Sequence, residues 1–125
     1  MKAEENKKPE VVLSPSKPSV EFDEFAKMDI RVATILEAEK VPKTNKLLKL
    51  KVDTGLDQRT IVSGIAQYFK PEEIIGKRVC ILVNLLPRKM KGIDSQGMIL
   101  MAENPDGTLF FVEPGTGTLN GGTVK

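Results

Sequence analysis

Several segments of this chain alternate apolar and polar residues with the period of two that is typical of β-strands with one buried face. Residues 48–53, LKLKVD, place three apolar side chains on one face and two lysines and an aspartate on the other. Residues 30–34 alternate in the same way, and the apolar pair Ile35-Leu36 then breaks the phase, which predicts a bulge or a bend. Three further strands are predicted from their apolar and β-branched content, over residues 59–65, 79–83 and 98–102.

Turn residues separate these strands. The segment Gly55 to Gln58 is predicted to close one hairpin, and Asn104-Pro105-Asp106-Gly107 is predicted to close another before residues 108–112. A short helix is predicted over residues 70–75, because Pro71 suits a first helical turn, two glutamates follow it and Gly76 can end it.

The order of these elements is three strands, a short helix, two more strands and a C-terminal hairpin. Five strands with a helix between the third and the fourth is the order of an OB-fold, a Greek-key barrel that often supports oligonucleotide binding. The predicted fold class is therefore all-β with one short helix: a five-stranded OB-fold Greek-key barrel with a C-terminal β extension.

The first 20 residues differ in composition from the rest of the chain. Residues 1–20 mix Lys, Glu, Pro and Ser with one short apolar patch, so they are predicted to be a flexible linker. Residues 21–125 are predicted to form one domain, and the 40% hydrophobic content is enough for a single core. The domain is predicted to begin with one helical turn, in which Phe22 and Phe25 pack against the bottom of the barrel.

Composition argues against several kinds of chemistry. The chain has no histidine, which removes the usual general base and the commonest metal ligand. Its single cysteine, Cys80, lies within an apolar run and is predicted to be an inert core thiol. We therefore predict no catalytic residue, no metal site and no cofactor. Because the sequence also shows neither a signal peptide nor an apolar run of membrane-spanning length, a cytoplasmic location is expected.

Charge is distributed unevenly, although the net charge is only +2. Residues 40–52 contain five lysines and no acid, and residues 77–91 contain five cations and no acid. Each run taken alone is typical of an ordinary solvated face. If the two runs meet in space, they form a cationic surface suited to a nucleic acid.

The segment after residues 79–83, predicted as a loop, carries the most specific candidates. Arg88 can fork onto phosphate oxygens, while Lys89 and Lys91 act as point charges. The amide of Asn84 suits either a base edge or the task of tying down its own loop. Ser95 suits a polar contact or a turn, and Met98 suits the core or a contact with a base. The candidate binding residues are Lys43, Lys46, Asn84, Arg88, Lys89, Lys91, Ser95 and Met98.

Five motifs in order resemble a known family. They are MDIRV at residues 28–32, KLLKL at 46–50, IVSGIA at 61–66, NLLPRK at 84–89 and SQGMIL at 95–100. In these motifs the chain is similar to the tRNA-binding OB domain found at the C-terminus of bacterial methionyl-tRNA synthetases and as a free-standing structure-specific tRNA-binding protein.

This resemblance implies a non-catalytic module that recognises the shape of tRNA. It also implies a homodimer, with the C-terminal extension contributing to the interface. A covalently attached synthetase body, a methionine–tRNA ligase, is the favoured context, and a free-standing tRNA-binding protein is the alternative. Two other readings of the same barrel stay open: a chaperone or protein-export module, and a purely structural dimerisation module.

Overall fold

The computed structural model describes residues 11–125, so the first half of the predicted linker lies outside the described residues. Residues 11–20 are exposed and contain neither helix nor strand. The helices and strands of the described range are α1 (Phe22–Ala26), β1 (Ile30–Lys40), β2 (Leu48–Asp53), β3 (Gln58–Ser63), α2 (Pro71–Ile74), β4 (Arg78–Leu82), β5 (Arg88–Met90), β6 (Ile93–Ser95), β7 (Met98–Ile99), β8 (Met101–Glu103), β9 (Leu109–Phe111) and β10 (Thr123–Val124).

The main sheet is antiparallel and has the strand order β3-β2-β1-β4-β7, with β10 added beside the first residues of β1. The predicted break in alternation is a register shift between Ile35 and Glu37, where β1 changes its pairing with β2. This irregularity lets one long strand bend and serve both halves of the sheet. The helix α2 lies between the third and fourth strands, as predicted from the sequence.

Contacts between β3 and the segment before β7 bring the two edges of the sheet together. The carbonyl of Thr60 accepts a hydrogen bond from the Gln96 N–H at 2.8 Å, and the Thr60 N–H donates to Gln96 Oε1 at 2.9 Å. The Val62 N–H donates to Ser95 Oγ at 2.9 Å. These bonds make the sheet a nearly closed barrel, which confirms the predicted mostly β architecture.

The interior of the barrel is filled by the inward side chains that the alternation predicted. Along β2, Leu48, Leu50 and Val52 have no exposed surface. Cys80 is also buried, and its burial raises the pKa of the thiol, which keeps it protonated at neutral pH. The core residues are Ala33, Ile35, Leu48, Leu50, Val52, Ile61, Ile65, Ile74, Val79, Ile81, Val83 and Ile99.

Two sequence-based expectations about the elements need correction, while both short helices lie where the sequence predicted them. The loop predicted after residues 79–83 contains a two-stranded hairpin, β5–β6. The predicted packing of α1 on the barrel is wrong, since Phe22 is 76% exposed and Phe25 41% exposed. A helix of five residues has only one turn, and α1 buries none of its residues.

The C-terminal extension wraps back onto the barrel. Strands β8 and β9 form a small hairpin, and residues 121–124 lie beside the start of β1. There Val32 exchanges backbone hydrogen bonds with Gly121 and Gly122, at 2.8 and 2.9 Å. Neither helix of the described range has the length or apolar character needed to cross a lipid bilayer.

Candidate nucleic-acid interface

The hairpin formed by β5 and β6 carries three of the candidate cations. In its register Arg88 faces Ser95, Lys89 faces Asp94 and Met90 faces Ile93. The two residues between the strands, Lys91 and Gly92, have φ angles of 52° and 82°. A two-residue turn with both φ angles positive matches the right-handed twist of a hairpin, and glycine adopts such an angle without steric cost. The chain therefore holds Lys91 at the tip of a regular hairpin.

The charges of this hairpin are only partly neutralised. Lys89 Nζ lies 3.3 Å from Asp94 Oδ1, which makes an exposed ion pair. Arg88 and Lys91 are exposed and form no ion pair with any residue of the range 11–125. Arg88 and Lys91 are thus the hairpin cations whose charge is available to an anionic ligand.

Two of the candidate residues hold the hairpin in place. Ser95 is only 4% exposed, and its hydroxyl accepts a hydrogen bond from the Val62 N–H and lies 3.2 Å from the Gly97 carbonyl. Asn84 Oδ1 accepts from the Asp29 N–H at 2.9 Å, and Asn84 Nδ2 donates to the Lys27 carbonyl at 2.7 Å. Their polar groups are therefore already bonded within the chain, which is the structural alternative that the sequence left open for both.

Met98 begins β7, where it pairs with Leu82 of β4. Its side chain is 45% exposed, so the core alternative does not apply to it. A thioether at the surface provides a flexible apolar contact next to the polar hairpin. Met98 remains a candidate for contact with a base.

The loop of residues 41–47 carries the other two candidates, Lys43 and Lys46. Both are exposed, and neither forms an ion pair with another residue of the described range. Lys43 has a φ angle of 66°, a left-handed conformation that is uncommon for lysine. The Thr44 hydroxyl accepts a hydrogen bond from the Leu47 N–H at 3.2 Å, which fixes the turn between them.

Strand β3 relates the hairpin to this loop. Thr60 of β3 bonds to Gln96, and Val62, two residues further along β3, bonds to Ser95, which precedes Gln96 in the chain. The strand of the hairpin that ends at Ser95 therefore runs antiparallel to β3. The hairpin tip therefore extends toward the C-terminal end of β3.

The loop of residues 41–47 adjoins that same end of β3. Ser63, the last residue of β3, pairs with Leu48, the first residue of β2. Just beyond β3, the Ala66 N–H donates to the Lys46 carbonyl at 3.0 Å. The register thus directs both cationic turns toward one end of the barrel.

The lysines of β2 differ from those of the two turns. Lys49 lies opposite Glu39 of β1 at an Nζ–Oε2 distance of 3.7 Å, and Lys51 lies opposite Glu37 in the same ladder. These four residues line a shallow depression on the outside of the sheet. The run of residues 40–52 is free of acids in sequence, but the acids of β1 lie beside its last two lysines in the folded chain.

One residue of this region was not singled out from the sequence. Arg59, the second residue of β3, donates hydrogen bonds to the carbonyls of Val83 and Gln96, at either side of the segment that carries the hairpin. Its partners lie 24 and 37 residues further along the chain. No local pattern could therefore have identified it.

The fold and these side chains define a class of small antiparallel barrels that present cations on a hairpin held to the barrel by hydrogen bonds. A family model described as "Putative tRNA binding domain" matches residues 30–122. The chain belongs to this family, which confirms the resemblance drawn from its motifs.

The chain is similar to a curated relative and to two solved structures. The chain is 62% identical over 121 residues to a methionine–tRNA ligase of Flavobacterium johnsoniae, a match that covers 97% of the chain and 16% of the ligase. A solved structure of a MetRS related protein from Pyrococcus horikoshii is 40% identical with a TM-score of 0.83, covering 87% of this chain and all of that one. The chaperone CsaA of Bacillus anthracis is 25% identical with a TM-score of 0.78, covering 86% of this chain and all of that one. The chain thus spans 16% of the ligase that it matches.

Proposed function

We propose that this chain is an OB-type module that binds tRNA through one cationic surface, formed by the hairpin β5–β6 and the loop of residues 41–47. The observation that carries the proposal is the state of four cations, Lys43, Lys46, Arg88 and Lys91. They are exposed, they form no ion pair within residues 11–125, and they lie on a hairpin and a loop that are directed toward the same end of the barrel. Membership of the tRNA-binding family supports tRNA as the polyanion that these cations bind.

The contacts of such a surface would be made chiefly to phosphates. Arg88 can donate two parallel hydrogen bonds to one phosphate, and the three lysines act as point charges. If each of the four cations displaces one counterion, the logarithm of affinity should fall with the logarithm of salt concentration with a slope of about −3 to −4. Met98 would add an apolar contact, and Asn84 and Ser95 would act by holding the hairpin.

We further propose that the module serves a cytoplasmic methionyl-tRNA synthetase as its C-terminal domain, and that it forms a homodimer. The high identity to methionine–tRNA ligase supports the first statement. An attached module raises the effective concentration of tRNA near a catalytic body without taking part in the chemistry. Exposed apolar side chains support the second, both near α1 and in the extension: Phe22, Phe25, Met28, Phe110, Val112 and Leu119.

The proposal is tested by removing the same charge from two places. In the first variant Arg88→Ala is combined with Lys91→Ala, and in the control variant Lys49→Ala is combined with Lys51→Ala. Loss of two charge-assisted contacts should weaken tRNA binding about 30- to 100-fold in the first variant. The control should change affinity by about threefold at most, because its lysines face acids. Fluorescence anisotropy with labelled tRNA at several salt concentrations measures both the affinity and the slope.

Equal affinities of the hairpin variant and the unmodified chain would refute the hairpin as the contact surface. Equal losses in both variants would show that only net charge matters. A salt slope near zero for the unmodified chain would argue against phosphate contacts altogether.

A chaperone function on the same barrel is the second candidate. The structural similarity to CsaA favours it, as do exposed apolar residues such as Phe22 and Leu86, the latter 85% exposed. This function predicts binding of an unfolded polypeptide that depends little on salt. Competition between labelled tRNA and a permanently unfolded protein for the chain, at 50 and 300 mM salt, separates the two candidates.

A further inference from the structure

The segment of residues 83–97 leaves the barrel and returns to it at adjacent points. It begins after β4 and ends before β7, and these two strands are paired through Ile81 with Ile99 and Leu82 with Met98. The hairpin with Arg88 and Lys91 lies within this segment. The orientation of the hairpin therefore depends on what fixes the two ends of the segment, its neck.

A single guanidinium joins both sides of this neck to β3. Arg59 Nη1 donates to the Val83 carbonyl at 2.6 Å and to the Gln96 carbonyl at 3.2 Å. A terminal guanidinium nitrogen carries two hydrogens, so it can supply both bonds at once. Val83 stands at the start of the segment and Gln96 near its end. Arg59 therefore ties the departing and the returning chain to the same point.

The side chain of Arg59 is itself held in place. Its Nε donates to Asp57 Oδ1 at 3.0 Å, and the same oxygen of Asp57 accepts from the buried hydroxyl of Thr54 at 2.9 Å. The Arg59 side chain is 23% exposed. Its charge is thus paired and directed at carbonyl oxygens of the chain, which leaves little of it for an external phosphate.

The other polar anchors of the segment act on one side only. Thr60 and Val62 bond to the returning side at Gln96 and Ser95, while Asn84 ties the departing side to the residues after α1. Among the hydrogen bonds of residues 11–125, those of Arg59 are the ones by which a single side chain bridges both sides. Removing Arg59 should therefore loosen one side of the neck against the other.

We propose that Arg59 is a positioning residue for tRNA binding. It acts by clamping the neck, the two ends of the segment of residues 83–97, so that Arg88 and Lys91 stay in the orientation that binds the ligand. This inference rests on the proposed function. A hairpin with a loosened neck would occupy the binding orientation for only a fraction of the time. The apparent dissociation constant would rise by the inverse of that fraction, while the number of phosphate contacts stayed the same.

The first test replaces Arg59 by Lys and by Gln in the 125-residue chain. Lysine keeps the positive charge, but its donors all sit on one atom, so it does not reproduce the placement of Nε on Asp57 and Nη1 on the two carbonyls. Both variants should bind tRNA about tenfold more weakly, with a salt slope equal to that of the unmodified chain. If Arg59 contacted a phosphate instead, the Gln variant would lose close to one unit of slope and the Lys variant would keep it.

A matched control is Arg78→Gln. Arg78 is also a partly buried arginine that donates to a backbone carbonyl, that of Thr118 in the C-terminal extension. This control should leave tRNA affinity within about twofold. Equal losses for Arg59→Gln and Arg78→Gln would assign the effect to general destabilisation and overturn the inference.

The second test asks whether Arg59 acts through the hairpin cations. Arg59→Gln is combined with the Arg88→Ala and Lys91→Ala pair, and the loss of affinity is compared in the two backgrounds. Once Arg88 and Lys91 are replaced, Arg59 has little charge left to position. Arg59→Gln should then weaken tRNA binding by about twofold or less. The same tenfold loss in both backgrounds would overturn the inference.

Hydrogen exchange provides a readout without tRNA. In Arg59→Gln the N–H groups of Thr60 and Gln96, which bond β3 to the returning side of the neck, should exchange faster, while that of Leu50 in the core should not change. Faster exchange throughout the barrel would mean global destabilisation and would contradict the clamp.

The two proposals fail in different ways. If the Arg88→Ala and Lys91→Ala pair weakens binding but Arg59→Gln does not, only the clamp is refuted. If that pair has no effect, the proposed interface itself is refuted.

Discussion

The hairpin β5–β6 and strand β2 look alike in sequence and differ in the folded chain. Their cations lie in two sequence runs without acids, residues 77–91 and 40–52. In the structure, Lys49 and Lys51 of β2 face Glu39 and Glu37 of β1, whereas Arg88 and Lys91 face no acid within residues 11–125. The difference arises from strand register, which places distant acids beside one set of cations and not beside the other.

This comparison shows that counting charges along the sequence does not predict the electrostatic potential at the surface of a β-barrel. Cross-strand neighbours lie about 5 Å apart, well within the screening length of about 8 Å at physiological salt. A lysine on a strand is therefore affected most by its ladder partner, which can lie anywhere in the sequence. Lys91 lies in the turn and has no ladder partner, and the ladder partner of Arg88 is the uncharged Ser95, so both cations stay available.

The largest expected effect among the following predictions comes from disturbing the hairpin without changing its charge. Gly92→Val places a β-branched residue at a φ angle of 82°, a strain of about 1–2 kcal/mol. We expect about tenfold weaker tRNA binding, because the turn that presents Arg88 and Lys91 no longer closes in its present form. The measurement is the dissociation constant at one salt concentration.

The control for this prediction is Gly115→Val. Gly115 is exposed, its φ angle is not in the left-handed region, and nothing lies within 4 Å of an added Cβ. It should bind tRNA as the unmodified chain does. If Gly92→Val also binds normally, the regular hairpin is not needed and charge alone distinguishes the two regions.

Much of the fold could be predicted from the sequence, because short-range patterns determine it. The alternation in residues 48–53 gave the buried face of β2 correctly, and Pro71 and Gly76 bracketed α2 as expected. The helical turn at Phe22 was predicted correctly, but its packing was not. Apolar side chains in a sequence indicate that a surface can be buried, but they do not indicate which other surface buries it.

The candidate site could be predicted only in part. The positions of the cations follow from the sequence directly. The roles of Asn84 and Ser95 depend on partners 55 and 33 residues away, so sequence spacing could not decide between a ligand contact and an anchor. The same holds for the pairing of Lys49 with Glu39, which requires the exact ladder between β1 and β2. Long-range register is the information that local patterns lack.

A smaller effect is expected from uncovering the lysines of β2. Glu37→Gln combined with Glu39→Gln keeps the shape of both side chains and removes the acids beside Lys51 and Lys49. We expect tRNA affinity to rise about threefold, with a steeper salt slope, if this face borders the bound RNA. Anisotropy titrations at three salt concentrations measure both quantities. The matched control, Glu72→Gln with Glu73→Gln at α2, makes the same change in net charge away from β2.

Equal gains in the test and control variants would show that net charge, and not the local pairing, controls affinity. No gain in either variant would show that the outer face of β2 lies away from the RNA, which would place the whole interface at the two turns.

The smallest expected effect concerns the acid that supports Arg59. The hydrogen bond from Arg59 lowers the pKa of Asp57, and the Thr54 hydroxyl lowers it further. Since the folded chain favours the ionised carboxylate, Asp57 should stabilise the fold fully above its pKa in the unfolded chain, near 4. This contribution should disappear as the pH falls through the lower pKa of the folded state. Asp57→Asn should therefore melt at a lower temperature than the unmodified chain at pH 6, and the gap should narrow as the pH falls below about 4.

The exposed pair of Glu39 and Lys49 provides the contrast for this titration. Its atoms are 3.7 Å apart, and the side chains of Lys49 and Glu39 are 43% and 67% exposed, so Glu39→Gln should change stability by no more than about 0.5 kcal/mol at pH 6. A larger loss for Glu39→Gln than for Asp57→Asn would reverse the comparison. The pair of Lys49 and Glu39 would then be the one that the stability of the barrel requires, and the pair of Arg59 and Asp57 would be the dispensable one. A gap between Asp57→Asn and the unmodified chain that stays constant as the pH falls below about 4 would show that Asp57 acts by its shape and not by its charge.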